Sequence, residues 1–375
     1  MNLKMTLAAA AVAAVAAAPV VSHADATLYG KVQLGLSQAG KTTAAGKATT
    51  SFFDNGTRFG IKGSDALGSD MTSFYKMEFA TPGMGSASDS ISSYGTDPSS
   101  GFKTRYAYIG VKGNFGTAVG GRVEDLFYAM VEAPTDTPNA IGGSLGPTGD
   151  GYVSRVNAVA YMTPDLGGFT GGVAVGNIGT DNTSTSQTYG KQQQVYELGG
   201  KYTFGPGYVS AAYIAIPKND AQLGQITYNG TQIDALKSVA GIAAGYSFGM
   251  FGIDGNVTKT AAHDSSAKIM KVTQATIQGS MTMGALYGYV MYSQAKNDES
   301  GSKTANRITA GVFYNVSKPL MVSFEVASNN KYTNSTQNSS LTSPSFTPAS
   351  WSPDTNGNFN GKANTEFAVA LLYNF

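Results

Sequence analysis

Apolar and polar residues alternate one by one over most of this chain. The last ten residues, Glu366 to Phe375, are the clearest case. Phe367, Val369, Leu371, Tyr373 and Phe375 share one parity and form a wholly apolar face, while Glu366, Ala368, Ala370, Leu372 and Asn374 share the other. A period of two belongs to an extended strand whose faces meet different surroundings. The apolar face suits a soluble core. It equally suits the outside of a lipid-embedded barrel, built from alternating segments of about ten residues.

The same period runs from the start. Thr27 to Ser37 sets Leu28, Val32, Leu34 and Leu36 against Tyr29, Lys31 and Gln33. Ser51 to Gly63 sets Phe53, Phe59 and Ile61 against Asp54, Arg58 and Lys62, and Met71 to Ala80 sets Tyr75, Met77 and Phe79 against Lys76 and Glu78. Phe102 to Lys112 turns through Gly113-Asn114-Phe115-Gly116 into Thr117 to Arg122. Further strands are expected near Arg155 to Thr163, Phe169 to Gly176, Gln194 to Phe204, Tyr208 to Ile216, Ser238 to Ser247 and Phe251 to Thr260. The last five fall near Ile269 to Met281, Ala285 to Ala295, Ala305 to Val316, Leu320 to Ser328 and Thr365 to Phe375, for a total of about sixteen.

Tight turns such as Thr163-Pro164-Asp165-Leu166-Gly167 and Phe204-Gly205-Pro206-Gly207 alternate with long polar connections. A soluble sandwich has no reason to sort its loops by parity; a membrane barrel has short turns at one end and long loops at the other. The expectation is therefore an all-β fold, a 16-stranded antiparallel transmembrane β-barrel with both termini at the short-turn end. A barrel of this size leaves water in its middle, whereas about eight strands would be filled by side chains.

Composition sharpens this picture. Charged residues are 13% of the chain, about half the usual share, while there are 47 glycines, 21 tyrosines and 18 phenylalanines. A net charge of +1 gives no reason to expect a nucleic-acid partner, and the absence of cysteine excludes disulfides and thiolate metal sites. Met1 to Lys4, the Ala-rich run Met5 to Val21 and the Ser22-His23-Ala24 site read as a signal peptide over 1–24, leaving 25–375 as the mature barrel.

Two connections stand out. Residues 123–153 carry Glu124, Asp125, Glu132 and Asp136 with three prolines, Pro134, Pro138 and Pro147. A structureless loop of that length is usually functional, and this one is expected to fold into the barrel and narrow it. Residues 330–361, rich in Ser, Asn and Thr with Trp351, read as a solvated external loop.

By parity Arg58, Arg105, Arg122 and Arg155 oppose their apolar neighbours, among them Phe59, Tyr106 and Tyr108, and Val156 and Ala158, and are expected to face the lumen. They lie roughly 20–30 Å along their strands from the short turns, near mid-height. Lys31, Lys76 and Lys103 share that parity on neighbouring strands. Together they predict a basic wall facing the loop acids Glu124, Asp125, Glu132 and Asp136, with a transverse field and a mild preference for anions. Glu78, Glu197, Asp254, Glu325 and Glu366 also read as lumenal.

The motifs Ala26-Thr27-Leu28-Tyr29-Gly30, Arg58-Phe59-Gly60-Ile61-Lys62-Gly63, Arg105-Tyr106-Ala107-Tyr108-Ile109-Gly110-Val111, Gly113-Asn114-Phe115-Gly116, Gly121-Arg122 and the terminal Tyr373-Asn374-Phe375 resemble, as a set, Gram-negative general porins of the beta-proteobacterial type. The resemblance implies an outer-membrane homotrimer, each barrel a pore for passive diffusion of ions and small hydrophilic solutes. It makes Tyr373 and Phe375 an assembly signal for the barrel assembly machinery, places Arg58, Arg105 and Arg155 at the constriction, and implies outer-membrane lipid and lipopolysaccharide as surroundings. No cofactor is implied. The third loop departs from enterobacterial porins in lacking their compact acidic-Phe-Gly element. Two other classes are open to such a chain. A substrate-specific channel for a sugar or oxyanion would use Phe127, Tyr128 and the arginines as its track. A hydrolase would need a histidine base. The mature chain offers only His263, within Ala262-His263-Asp264-Ser265, and no Gly-x-Ser-x-Gly elbow.

Overall fold

The computed structural model describes residues 26–39, 49–54, 56–68, 70–81, 102–141, 155–178, 180–181, 193–218, 226–228, 231–232, 236–263, 271–298, 304–332 and 362–375. The expected signal peptide, residues 142–154 of the third loop and residues 333–361 lie outside them.

One antiparallel sheet of seventeen hydrogen-bonded runs dominates the chain. Two of these runs, Thr49–Asp54 and Arg58–Ala66, follow each other along the first strand and are halves of one strand, so the strands number sixteen. In chain order they are β1 (Thr27–Ala39), β2 (the two halves), β3 (Met71–Ala80), β4 (Lys103–Gly113), β5 (Gly116–Glu124) and β6 (Arg155–Met162). Then come β7 (Phe169–Ile178), β8 (Gln193–Phe204), β9 (Gly207–Ala215), β10 (Leu236–Phe248), β11 (Phe251–Ala262) and β12 (Val272–Met283). Last are β13 (Leu286–Asn297), β14 (Ala305–Asn315), β15 (Leu320–Tyr332) and β16 (Lys362–Asn374).

Each strand pairs with the next, and β16 returns to β1, with Lys31 opposite Asn374 and Ala39 opposite Glu366. Phe375 completes the seam by exchanging backbone hydrogen bonds with Gly30 at 3.0 and 3.1 Å. Closure leaves no open edge, which in hydrocarbon would strand a row of donors and acceptors at several kcal/mol each. At the long-loop end, Thr180–Asp181, Ile226–Tyr228 and Thr231–Gln232 form a small separate sheet.

The barrel is apolar outside and polar inside. Leu28, Ile109, Val159, Leu198, Ile242 and Leu371 stand exposed on the outer face, whereas Gln33, Glu78, Gln274, Ser323 and Glu325 on the inner face are buried. Aromatic residues gather outside near the short turns, with Tyr202 and Phe204 stacked at 6.1 Å and Tyr246 and Phe248 tilted at 4.7 Å, as in a girdle at a lipid interface. The strands run further toward the long loops than expected: β15 continues to Tyr332 and β16 begins at Lys362. Pairing there continues above the apolar stretch, where alternation no longer marks it.

Two bulges re-aim side chains. Between Asp54 and Arg58 the chain advances four residues while its partner β1 moves three, from Leu34 to Lys31. Gly56 adopts a φ of 82° there, and the Thr57 N–H donates to the Asp54 carboxylate at 2.8 Å. The extra residue puts Phe52, not Phe53, on the outer face with Phe59, and turns Arg58 inward beside Lys31. On β4, Glu78 faces Tyr106 and Phe79 faces Thr104, leaving Arg105 as the bulged residue.

Candidate functional site

The connection after β5, described from 125 to 141, is fastened to the inner wall along its length. At its root the Asp125 carboxyl accepts the Tyr128 N–H at 2.8 Å, as an N-cap does, while Glu197 of β8 accepts the Leu126 N–H at 2.9 Å. The Asp125 and Glu197 carboxyls lie side by side at this root, both buried. Burial, then the charge of Glu197, raises the pKa of Asp125 well above the usual carboxylate range.

Tyr128–Glu132 forms a wide helical turn, followed by one 3₁₀ turn at Ala133–Thr135 that holds Pro134. Phe127, Met130 and Val131 pack into a dry cluster with Val239 and Ala243 of β10 and Val156 and Ala158 of β6. The wall makes room with glycine: a Cβ on Gly241 would lie 2.7 Å from Val131 and 2.8 Å from Phe127. Ser210 donates to the Met130 carbonyl at 2.6 Å, and Asn256 to the Val131 carbonyl at 2.9 Å.

At the far end Glu325 of β15 accepts the backbone N–H of Asn139 at 2.8 Å and that of Ala140, together with the Tyr289 hydroxyl at 2.5 Å. Gln33 of β1 donates to the Asn139 carbonyl at 2.7 Å. The segment thus follows the inner wall from β8 round to β1 and leaves the sector of β1 to β6 facing it.

That sector carries the cations, gathered on Glu78 of β3. Arg105 Nε lies 2.6 Å, Arg58 Nε 3.5 Å and Lys76 Nζ 3.6 Å from its carboxylate, and the Tyr29 hydroxyl donates to it at 2.9 Å. Lys31 sits directly across the ladder from Arg58 and donates to Gln33 at 2.6 Å. Opposed like charges repel; the Glu78 carboxylate offsets that repulsion. Aromatic faces hold other cations: Lys76 lies 4.0 Å and the Arg155 guanidinium 5.1 Å from the centre of the Tyr106 ring. Lys103 begins β4, opposite Ala80.

Several placements differ from expectation. Arg122 is not on the lumenal wall: its register runs Ala107, Arg122, Asn157, Asn177, Gln194 across β4 to β8, a row on the outer face. Asp125 and Glu132 are buried against the wall at 2% and 3% exposure and do not face the open sector. Glu124 and Asp136 remain nearer to it, taking the Tyr106 hydroxyl at 3.1 Å and the Tyr128 hydroxyl at 2.6 Å. Tyr106 and Tyr108 point inward because the Arg105 bulge shifts their parity. Val156 and Ala158 point inward because the loop covers them. Phe127 belongs to the same cluster, so it is no part of a solute track.

The sequence placed Glu78, Glu197 and Glu325 in the lumen by parity and assigned them no partners; nothing in it singled out Ser210 or Asn256. His263 Nε2 meets the Ile216 carbonyl at 2.8 Å, and its neighbours Asp264 and Ser265 lie outside the described residues.

The family model for Gram-negative porins matches residues 6–335. The chain belongs to that family. This porin is 24% identical over 317 residues to major outer membrane protein P.IB of Neisseria meningitidis serogroup A, the match covering 81% of this chain and 87% of that protein. Against P.IB of Neisseria lactamica it is 28% identical over 172 residues, 46% of that protein's length. Among solved structures it is similar to Salmonella typhi OmpF in complex with daunomycin, with a TM-score of 0.64, 19% identity and coverage of 93% of this chain and 97% of that one. The porin is an outer-membrane diffusion channel and not an enzyme.

Proposed function

We propose that residues 125–141 and the wall of Lys31, Arg58, Lys76, Lys103, Arg105 and Arg155 form the constriction of a general pore with a mild anion preference. The observation that carries this reading is the charge balance at Glu78. One carboxylate is shared by three cations, Lys31 stands beside them, and two of the four loop acids are packed into the wall. Fixed positive charge at a narrow level raises the local concentration of anions. Family membership supports a homotrimer within outer-membrane lipid, assembled by the barrel assembly machinery through Tyr373 and Phe375. The test is a reversal potential in a planar bilayer under a potassium chloride gradient. A potential of the sign for chloride is expected; clear cation preference overturns the reading.

A further inference from the structure

Between the cations and the short turns the lumenal wall carries aromatic rings. Tyr106 stands opposite Glu78, Tyr108 opposite Lys76, and Phe74 opposite Gly110, each pair one step nearer the turns than the last. The three rings form a strip, Tyr106 to Tyr108 at 6.1 Å and Tyr108 to Phe74 at 6.2 Å, each pair edge to face. Phe74 lies near the start of β3 and Gly110 near the end of β4, so the strip leads from the level of Glu78 toward the short-turn mouth.

Glycine seats these rings against the wall. A Cβ on Gly110 would run into the Phe74 ring, and one on Gly60 would lie 2.7 Å from the Tyr29 hydroxyl. A ring laid over a glycine turns its other face to the lumen, and Tyr29, Phe74 and Tyr108 are half-buried rather than enclosed. Cations flank the strip. Lys62, Lys76 and Tyr108 share one register row, with Lys76 Nζ 4.0 Å from the Tyr106 ring centre and Lys62 Nζ 5.3 Å from that of Tyr29.

Open aromatic faces beside ammonium groups suit a solute that is flat and apolar at one end and negative at the other. A sugar would need hydrogen-bonding groups next to the rings, but the Tyr29 and Tyr106 hydroxyls are given to Glu78 and Glu124. A small inorganic anion gains nothing from the rings.

We propose that this strip is a stacking site for planar aromatic carboxylates of the benzoate class in transit, with Lys62 and Lys76 holding the carboxylate and Phe74 and Tyr108 the ring. The site takes its preference for anions from the charge balance proposed for the constriction; its preference for rings is its own.

The test is block of single-channel current in a planar bilayer by benzoate, by cyclohexanecarboxylate, which has the same charge without the aromatic ring, and by glucose. Benzoate is expected to block the wild type at about one-fifth of the concentration that cyclohexanecarboxylate needs, roughly 1 kcal/mol, the size of one aromatic contact. Phe74→Leu and Tyr108→Leu should each narrow that ratio, whereas Phe74→Tyr should keep it. Conductance in potassium chloride alone should match wild type in all three variants, showing open, folded barrels. Equal block of the wild type by the two carboxylates overturns the proposal, whether or not the variants fold. So does a benzoate advantage that survives both leucine variants, or block by glucose at the benzoate concentration. A reversal potential of the cation sign with the benzoate advantage intact would overturn the charge balance of the constriction and support the ring site. The chloride sign without that advantage overturns the ring site alone.

Discussion

Glu78 holds the basic wall together more than any of the cations around it. Three cationic groups and a tyrosine hydroxyl converge on a carboxylate that is 3% exposed. Removing one member of a buried charged group costs more than the group contributes as a whole, because the remaining charges are left uncompensated. Glu78→Gln is expected to lower the thermal unfolding midpoint in detergent and to move the reversal potential further toward chloride. A shift toward potassium would contradict the assigned charge balance. Parity announced Glu78 as lumenal, but the convergence of Arg58 and Arg105 on it depends on two bulges. Asn55-Gly56 marks the first in the sequence, whereas nothing in the composition around Arg105 marks the second.

The loop after β5 is an element whose attachment is titratable. Burial, then the charge of Glu197, raises the pKa of Asp125. Its folded pKa is raised, so its contribution to loop docking is complete below the ordinary carboxylate range and is lost as pH rises through the raised value. Open-channel current noise is accordingly expected to grow in the wild type as pH rises from the ordinary carboxylate range through the raised value. Asp125→Asn, which keeps the acceptor for the Tyr128 N–H and an amide donor toward Glu197 but does not titrate, should stay flat across that window. A variant with the wild-type slope would assign the titration elsewhere. The loop's length and its acids were visible in the sequence. Its partners were not, because Glu197, Asn256, Glu325 and Gln33 come from strands up to 186 residues away.

At the scale of the whole molecule, stability rests on the seam between β16 and β1. The terminal residue closes it through two backbone hydrogen bonds to Gly30, and the apolar face of β16 joins that of β15, Phe367 opposite Val326 and Leu371 opposite Val322. Deleting Phe375 removes both bonds and frays the edge. The expected outcome is a lower yield of heat-modifiable, folded barrel on refolding into detergent, with the remaining folded fraction conducting normally. Unchanged refolding yield would show that Tyr373 and the residues before it are sufficient for closure.

The sequence by itself determined the class of structure. Period-two alternation and the sorting of short turns from long loops are local properties, and they brought out a membrane barrel of sixteen strands with a polar interior. Tertiary structure alone decided which side several residues face. Parity counting holds only while no residue is inserted, and the bulges at Gly56–Thr57 and Arg105 insert one each. Hydrophobicity separates outside from inside only where the inside is wet. Under the loop it is dry, so Val156, Ala158 and Val239 are apolar and inward, while Arg122 is charged and outward.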